Sequence, residues 1–184
     1  MGKRFVLIIY GHSCSGKTSI VEMLMERHIN LFRISSDKIK WFISKYNKDE
    51  HSEIVYDFLT DLAKRAVKEN YSLIVESMGI KLLQQGTKFL KALAKKNGME
   101  FIEINLESPF HIAKERFNAR LENAKKEHIK ISNKSYRRFK QMYEGYFNKK
   151  NEKIPAFDTS KLSPKQIVNR IEKLIPLEKR AKGL

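Results

Sequence analysis

Residues 11–18 constrain the fold of this chain more than any other segment. They read Gly-His-Ser-Cys-Ser-Gly-Lys-Thr and follow an apolar run at residues 5–10. The two glycines allow a tight turn in which backbone N–H groups converge on an anion, at the start of a helix whose dipole also favours negative charge. The pattern G-x-x-x-x-G-K-[S/T] between a strand and an amphipathic helix predicts a loop that binds the phosphates of a nucleotide.

The residues of this loop and the one that follows it are the candidates for nucleotide binding. In loops of this pattern the lysine reaches the β- and γ-phosphates, and the hydroxyl of the last residue binds Mg²⁺. We therefore expect Lys17 to act in catalysis and Thr18 to hold the metal ion. Cys14, the single cysteine, is interpreted as a small loop residue rather than a nucleophile, because no base is assigned to it. The predicted nucleotide-binding residues are Gly11, Ser13, Cys14, Ser15, Gly16, Lys17, Thr18 and Ser19.

The length and cysteine content of the chain set its general class. A chain of 184 residues suits one domain with a substantial core. The longest apolar run, residues 5–10, is far shorter than the roughly 20 residues of a membrane span. A single cysteine excludes an internal disulfide framework and fits a reducing compartment. We expect one domain over residues 1–184, no membrane partner and a cytoplasmic location.

Apolar, strand-like runs alternate with helical periodicity along the chain. The segments between the runs place apolar residues at i, i+3 and i+4, as amphipathic helices do. This alternation is typical of a parallel sheet with helices on both faces. We therefore predict a three-layer α/β fold of the P-loop NTPase type with a helical lid and about five parallel strands, at residues 5–10, 31–34, 72–75, 99–106 and 154–157.

Two acidic residues follow predicted strands, at the edge of the sheet where ligands bind in open parallel folds. Asp37 suits the base that accepts the proton of an attacking hydroxyl; the alternative is a helix N-cap before Ile39 and Trp41. Glu76 suits a group that holds Mg²⁺ through water or contacts the substrate; the alternative is a solvated carboxylate. Asp37 and Glu76 are the predicted substrate-binding residues, and Asp37 is also predicted to be catalytic.

Two arginines share one face of the helix predicted after the fourth strand, because Arg116 and Arg120 are four residues apart. Such a pair can neutralise the charge that develops on a transferred phosphoryl group. The alternative is that both arginines are exposed and satisfied by Glu115 or Glu122. We expect the catalytic role, within a lid region around residues 110–135.

Positive charge is concentrated in the second half of the chain. The sequence has 37 Lys and Arg against 21 Asp and Glu, a net charge of +16. Residues 111–150 contain 12 Lys and Arg against 4 Glu, which favours an element that faces a polyanion such as nucleic acid. Aromatic residues near helical spacing at residues 133–147 suit a base-stacking surface or a stripe that faces the core, and we expect the latter.

The order and spacing of these segments resemble the kinase domain of 5′-hydroxyl polynucleotide kinases and related P-loop kinases. The resemblance implies the use of ATP and Mg²⁺, Asp37 as the general base, and lid arginines at Arg116 and Arg120. One departure is Glu76, where polynucleotide kinases usually carry aspartate. The segments that carry the resemblance are residues 11–18, 34–37, 56–78, 115–120 and 158–160.

The predicted function is transfer of the γ-phosphate of ATP to a hydroxyl, with the 5′-hydroxyl of RNA or DNA as the favoured acceptor. Zeta-toxin-like and small-metabolite kinases share much of this layout, so a nucleotide, a nucleotide sugar or a small metabolite is the alternative acceptor. A GTP-binding switch or an NTPase without an acceptor is a further alternative, although the sequence lacks an Asn-Lys-x-Asp guanine signature.

Overall fold

A five-stranded parallel sheet forms the centre of the structure. The computed structural model describes residues 3–76, 80–127 and 135–176. Its strands are β1 (Phe5–Gly11), β2 (Leu31–Ser35), β3 (Ser72–Glu76), β4 (Glu100–Glu107) and β5 (Ala156–Asp158). They lie in the order β2-β3-β1-β4-β5, with all neighbours parallel. The predicted parallel sheet is confirmed, and the strand ends differ from the sequence prediction by one or two residues.

Seven helices accompany the sheet in the described residues. They are α1 (Lys17–Arg27), α2 (Ser36–Lys40), α3 (Lys48–Lys68), α4 (Ile80–Lys96), α5 (Phe110–Lys126), α6 (Tyr136–Phe147) and α7 (Pro164–Ile171). Ser163 and Gln166 form a capping box at the start of α7. Part of the predicted lid, residues 128–134, lies outside the described residues.

Helices cover both faces of the sheet because the buried strands are apolar on both sides. Alternate residues of β1 point in opposite directions, so Val6 and Ile8 pack against α3 and α4 while Leu7 and Ile9 pack against α1 and α7. All four side chains are at most 1% exposed. Strands buried on both faces are typical of parallel sheets and give continuous apolar runs rather than alternating ones.

The edge strand β5 is shorter than predicted. The apolar run begins at Ile154, yet the strand begins at Ala156. Pro155 has no N–H to donate, although its carbonyl still accepts a 2.8 Å hydrogen bond from the N–H of Asn105. Because a proline interrupts the hydrogen-bond ladder, regular pairing starts only after it.

The aromatic residues of α6 mainly face inward, as the core-facing interpretation predicts. Phe139 is fully buried and stacks on Phe117 of α5, with ring centroids 4.5 Å apart. Tyr136 is the exception among these aromatic residues, at 44% exposure, and the methionine Met142 on the same helix is 49% exposed. Phe139 therefore packs α6 against α5, whereas Tyr143 and Phe147 further along the helix pack against His12 in the loop at residues 11–18.

Across the described residues, every helix falls short of the length or the apolar content that a bilayer-spanning segment requires.

Candidate active site

The loop at residues 11–18 joins the carboxyl end of β1 to the start of α1. Gly16 adopts φ 89° immediately before the helix, a conformation that glycine reaches without steric cost. Gly11 is more tightly constrained, because a Cβ atom there would lie 2.5 Å from the carbonyl oxygen of Leu106 and closer still to Ser15 Oγ. The two glycines of the motif are thus required by backbone geometry and by close packing against β4.

Lys17 is folded back over the loop that precedes it. Its Nζ donates to the carbonyl oxygens of Gly11 and His12 at 2.9 and 2.8 Å. Burial lowers the pKa of Lys17, the carboxylates of Asp37 and Glu76 oppose that shift, and the charge of Arg120 adds to it. These opposing effects show that the structure brings all three predicted side chains into electrostatic range of the loop lysine.

Glu76 lies in the interior beside the loop, not in solvent. It is 1% exposed, so the alternative of a solvated carboxylate is wrong. Arg33 Nε donates to Glu76 Oε1 at 2.6 Å, and a second guanidinium nitrogen of Arg33 forms an ion pair with the same oxygen. Sequence analysis missed Arg33, because only the pairing of β2 with β3 brings the two residues together.

The oxygens of Thr18 and Glu76 fit a Mg²⁺ site. Thr18 Oγ1 donates to Glu76 Oε2 at 3.4 Å, so a hydroxyl and a carboxylate oxygen already lie side by side. Mg²⁺ prefers oxygen ligands and is usually held by one or two protein groups together with substrate phosphates. Among the described residues no group of three His, Cys, Asp or Glu could hold a metal ion from protein ligands alone.

Replacing Arg33 with Met should destabilise the protein by roughly 3–5 kcal/mol, because the buried carboxylate of Glu76 then loses its cationic partner. Urea unfolding measures the change. Arg65→Met is the matched control, since the ion pair of Arg65 with Glu69 is exposed and should be worth less than about 1 kcal/mol. The double variant Arg33→Met/Glu76→Gln should be less destabilised than the sum of the single variants; simple additivity would contradict the coupling.

Asp37 lies in the first turn of α2, at the same edge of the sheet. Ser35 occupies the N-cap position, so the N-cap alternative for Asp37 is wrong. The side chain of Asp37 is 55% exposed, and its Oδ1 accepts a 2.9 Å hydrogen bond from Lys40 Nζ. An exposed carboxylate near the phosphate loop is accessible to an incoming hydroxyl, as a general base must be.

The two arginines of α5 have different surroundings. Arg116 donates to Thr159 Oγ1 at 2.8 Å and to the Thr159 carbonyl at 2.6 Å, and its contact with the Cys14 carbonyl is 3.5 Å. The alternative in which Glu115 or Glu122 satisfies Arg116 is therefore wrong. Arg120 is exposed one turn further along the helix. Arg116 joins the loop after β5 to the phosphate loop, and Arg120 is the more available of the two for a phosphoryl group.

His12 is a buried member of the loop that sequence analysis did not assign to the site. It is 2% exposed, and its ring packs against Tyr143 and Phe147 of α6 at centroid distances of 4.6 and 5.8 Å. Nε2 accepts a 2.9 Å hydrogen bond from the N–H of Ser108, and Nδ1 lies 2.8 Å from the carbonyl of Ser13. Nδ1 therefore carries the proton, and the neutral ring fixes the back of the loop to β4 and α6.

Burial lowers the pKa of His12 from about 6.5 to about 4. The unfolded chain therefore takes up this proton at a higher pH than the folded chain, so stability falls as the pH drops below about 6.5. Between pH 7.5 and pH 5 this effect should cost about 2 kcal/mol. Urea unfolding at the two pH values should show a smaller loss for His12→Gln than for the wild type, and an equal loss would contradict the assignment.

Comparison with known proteins identifies the family. The family model AAA_33, described as an AAA domain, matches residues 6–145, which is most of the chain. The chain belongs to the AAA_33 family. The match includes the phosphate loop, Asp37, Glu76 and both arginines of α5. None of the curated proteins matches this AAA_33 chain significantly.

Solved structures of kinases share the fold of this AAA_33 domain. A candidate kinase from Chloroflexus aurantiacus is 16% identical with a TM-score of 0.66, covering 94% of this chain and 99% of its own. A chain of the Pnkp1/Rnl/Hen1 RNA repair complex is 13% identical with a TM-score of 0.61; the match covers 100% of this chain but 50% of that one. The APS kinase CysC of Mycobacterium tuberculosis, solved with AMPPNP and APS, is 13% identical with a TM-score of 0.54, covering 95% and 98%. At these identities the similarity establishes a P-loop kinase-like fold.

Proposed function

We propose that this protein transfers the γ-phosphate of ATP to the 5′-hydroxyl of RNA or DNA, with Mg²⁺ as the metal. One observation carries the proposal. Asp37 is an exposed carboxylate at the same edge of the sheet as the phosphate loop, and it is near enough to oppose the lowering of the Lys17 pKa. A nucleotide switch needs no such base beside its phosphates, whereas a kinase that acts on an alcohol does.

In the proposed reaction the acceptor oxygen attacks the γ-phosphorus of ATP and the bond from that phosphorus to the β,γ-bridging oxygen breaks. Asp37 takes the proton of the hydroxyl, and ADP leaves. Lys17 and the N–H groups of the loop hold the phosphates, while Arg120 balances the charge that develops on the transferred group. Thr18 and Glu76 would hold Mg²⁺, which supplies charge neutralisation when bound.

Nucleic acid is the favoured acceptor because of the charge of the protein. The net charge of +16 attracts polyanions, and 12 of the basic residues lie between positions 111 and 150. The fold shared with a chain of an RNA repair complex supports the same choice. The fold shared with APS kinase supports a small metabolite as the second candidate. We further propose that the chain is one cytoplasmic kinase domain in which α5 belongs to the lid.

Transfer of label from [γ-³²P]ATP tests the proposal. Oligonucleotides of RNA and DNA with a free 5′-hydroxyl should become labelled, whereas the same oligonucleotides carrying a 5′-phosphate should not. Transfer to oligonucleotides should weaken steeply as salt rises, because phosphate contacts release counterions. Absence of transfer to every 5′-hydroxyl oligonucleotide at low salt would exclude this function. Salt-insensitive transfer to a nucleoside, a nucleotide sugar or APS would establish the metabolite alternative.

A further inference from the structure

Two large aromatic side chains stand in solvent beside Asp37. Trp41 is 59% exposed and Phe42 is 87% exposed. Their N–H groups donate to the carbonyls of Lys38 and Ile39 at 3.1 and 3.0 Å, which extends the turn of α2 beyond its last residue. Both rings are therefore held on an ordered turn that directly follows the candidate base.

The residues on either side of Trp41 and Phe42 in the chain pack against the core. The backbone there is therefore anchored while the two rings remain exposed. Ile39 is 7% exposed, and Ile43 and Tyr46 pack against the same core. Trp41 and Phe42 occupy the outward positions between them. Apolar groups that remain in water give no stabilisation to the folded state, which makes two such neighbours a candidate for ligand contact.

The aromatic pair lies at the edge of the sheet that carries the phosphate loop. Trp41 follows Asp37 by four residues and has helical dihedral angles, φ −75° and ψ −18°. Four residues of helix rise by only about 6 Å, and residues at this spacing share a face. The backbone positions of Asp37 and Trp41 are thus separated along the axis of this turn by ~6 Å, the length of one nucleotide step.

Lysines flank the aromatic pair along the chain. Residues 38–48 contain four lysines and no acidic residue, at positions 38, 40, 45 and 48. Lys48 begins α3, and the far end of that helix leads into the start of β3, so this end of α3 lies at the active-site edge. Exposed aromatic rings among positive charges are the combination that binds single-stranded nucleic acid, through base stacking and phosphate contacts.

We propose that Trp41 and Phe42 stack on bases at the 5′ end of a single-stranded acceptor while the neighbouring lysines contact its phosphates. The inference rests on the proposed function and identifies how the same site selects its substrate. A second copy of this chain is a poorer occupant of the surface, since symmetric docking would oppose one cluster of lysines with another.

The fluorescence of Trp41 reports directly on binding at this surface, because the sequence contains one tryptophan. Titration with a short 5′-hydroxyl oligonucleotide, without ATP, should quench its fluorescence. The same strand with abasic sites at its two 5′-terminal positions should quench much less, and inorganic polyphosphate should not quench. Fluorescence that stays unchanged while the anisotropy of a labelled oligonucleotide reports binding would overturn the inference.

Substitutions distinguish acceptor binding by this surface from the binding of ATP. Trp41→Ala and Phe42→Ala should each raise the KM for an oligonucleotide acceptor about tenfold or more and leave the KM for ATP unchanged. Tyr71→Ala is the matched control, because that ring is 37% exposed at the opposite edge of the sheet, where β3 begins. Lys45→Gln should reduce the salt dependence of acceptor binding, whereas Lys68→Gln at the far end of α3 should not.

The outcomes distinguish the two proposals. If the wild type phosphorylates 5′-hydroxyl oligonucleotides but Trp41→Ala and Phe42→Ala keep the wild-type KM, the stacking surface is excluded and the proposed function stands. If the wild type phosphorylates no oligonucleotide, the proposed function fails whatever the fluorescence shows, and with it the assignment of the bound strand as acceptor. The inference would also be overturned if the wild type formed a dimer that dissociates in the Phe42→Ala variant and nucleic acid did not quench Trp41 fluorescence. The surface would then be assigned to contact with a second copy of the chain.

Discussion

Asp37→Asn should lower kcat for phosphoryl transfer by about 10²- to 10⁴-fold while leaving the dissociation constant for ATP nearly unchanged. Asparagine keeps the size of the side chain but cannot take the proton of the acceptor hydroxyl. Because the side chain is 55% exposed, the substitution should cost little stability. Single-turnover transfer to a 5′-hydroxyl oligonucleotide and equilibrium binding of an ATP analogue measure the two quantities separately.

The chain offers a closely matched control for this variant. Asp61 in α3 accepts a 3.1 Å hydrogen bond from Lys64, three residues later, just as Asp37 does from Lys40. Asp61→Asn removes the same charge from the same kind of exposed ion pair, away from the phosphate loop. It should leave kcat unchanged. If Asp37→Asn retained most of the wild-type kcat, the general-base assignment would be wrong.

Lys17→Ala should weaken ATP binding and reduce kcat/KM for transfer by at least 10²- to 10³-fold. In the structure its ammonium is bound by the loop carbonyls of Gly11 and His12. We expect the phosphates of the nucleotide to take over these contacts, since a charge-assisted hydrogen bond to phosphate is stronger than one to a neutral carbonyl. Isothermal titration with an ATP analogue and steady-state kinetics measure both losses.

The variant Lys17→Ala differs from Asp37→Asn in what it removes. Loss of the lysine should depress binding and chemistry together, whereas loss of the carboxylate should depress chemistry alone. Lys95→Ala, near the end of α4 and at the opposite edge of the sheet, controls for loss of a positive charge. Tight ATP binding and rapid transfer by Lys17→Ala would show that residues 11–18 are not a phosphate-binding loop.

The fold could be predicted from the sequence because it depends on local patterns. Apolar runs give the strands, and the periodic segments between them give the helices. The ends of the strands were less predictable where a single residue interrupts the hydrogen bonding, as Pro155 does before β5. The position of the phosphate loop could also be predicted from a local pattern, because the turn between β1 and α1 requires its two glycines.

The partners of the candidate site residues could not be predicted in the same way. Arg33 reaches Glu76 only because β2 pairs with β3 in a particular register, with Ser35 opposite Glu76. Arg116 binds Thr159, 43 residues away in the chain. Charged side chains of this kind have many alternative partners in the sequence, and only the tertiary packing selects one. Their proposed roles in catalysis remain predictions for the kinetic experiments above.

The hydrogen bonds of Arg116 have a consequence for the order in which the site is assembled during synthesis. The phosphate loop emerges from the ribosome long before Thr159, which positions the guanidinium that contacts the Cys14 carbonyl. Contacts between such distant parts of a chain form late in folding. A nascent chain therefore completes its nucleotide site only after Thr159 has been translated.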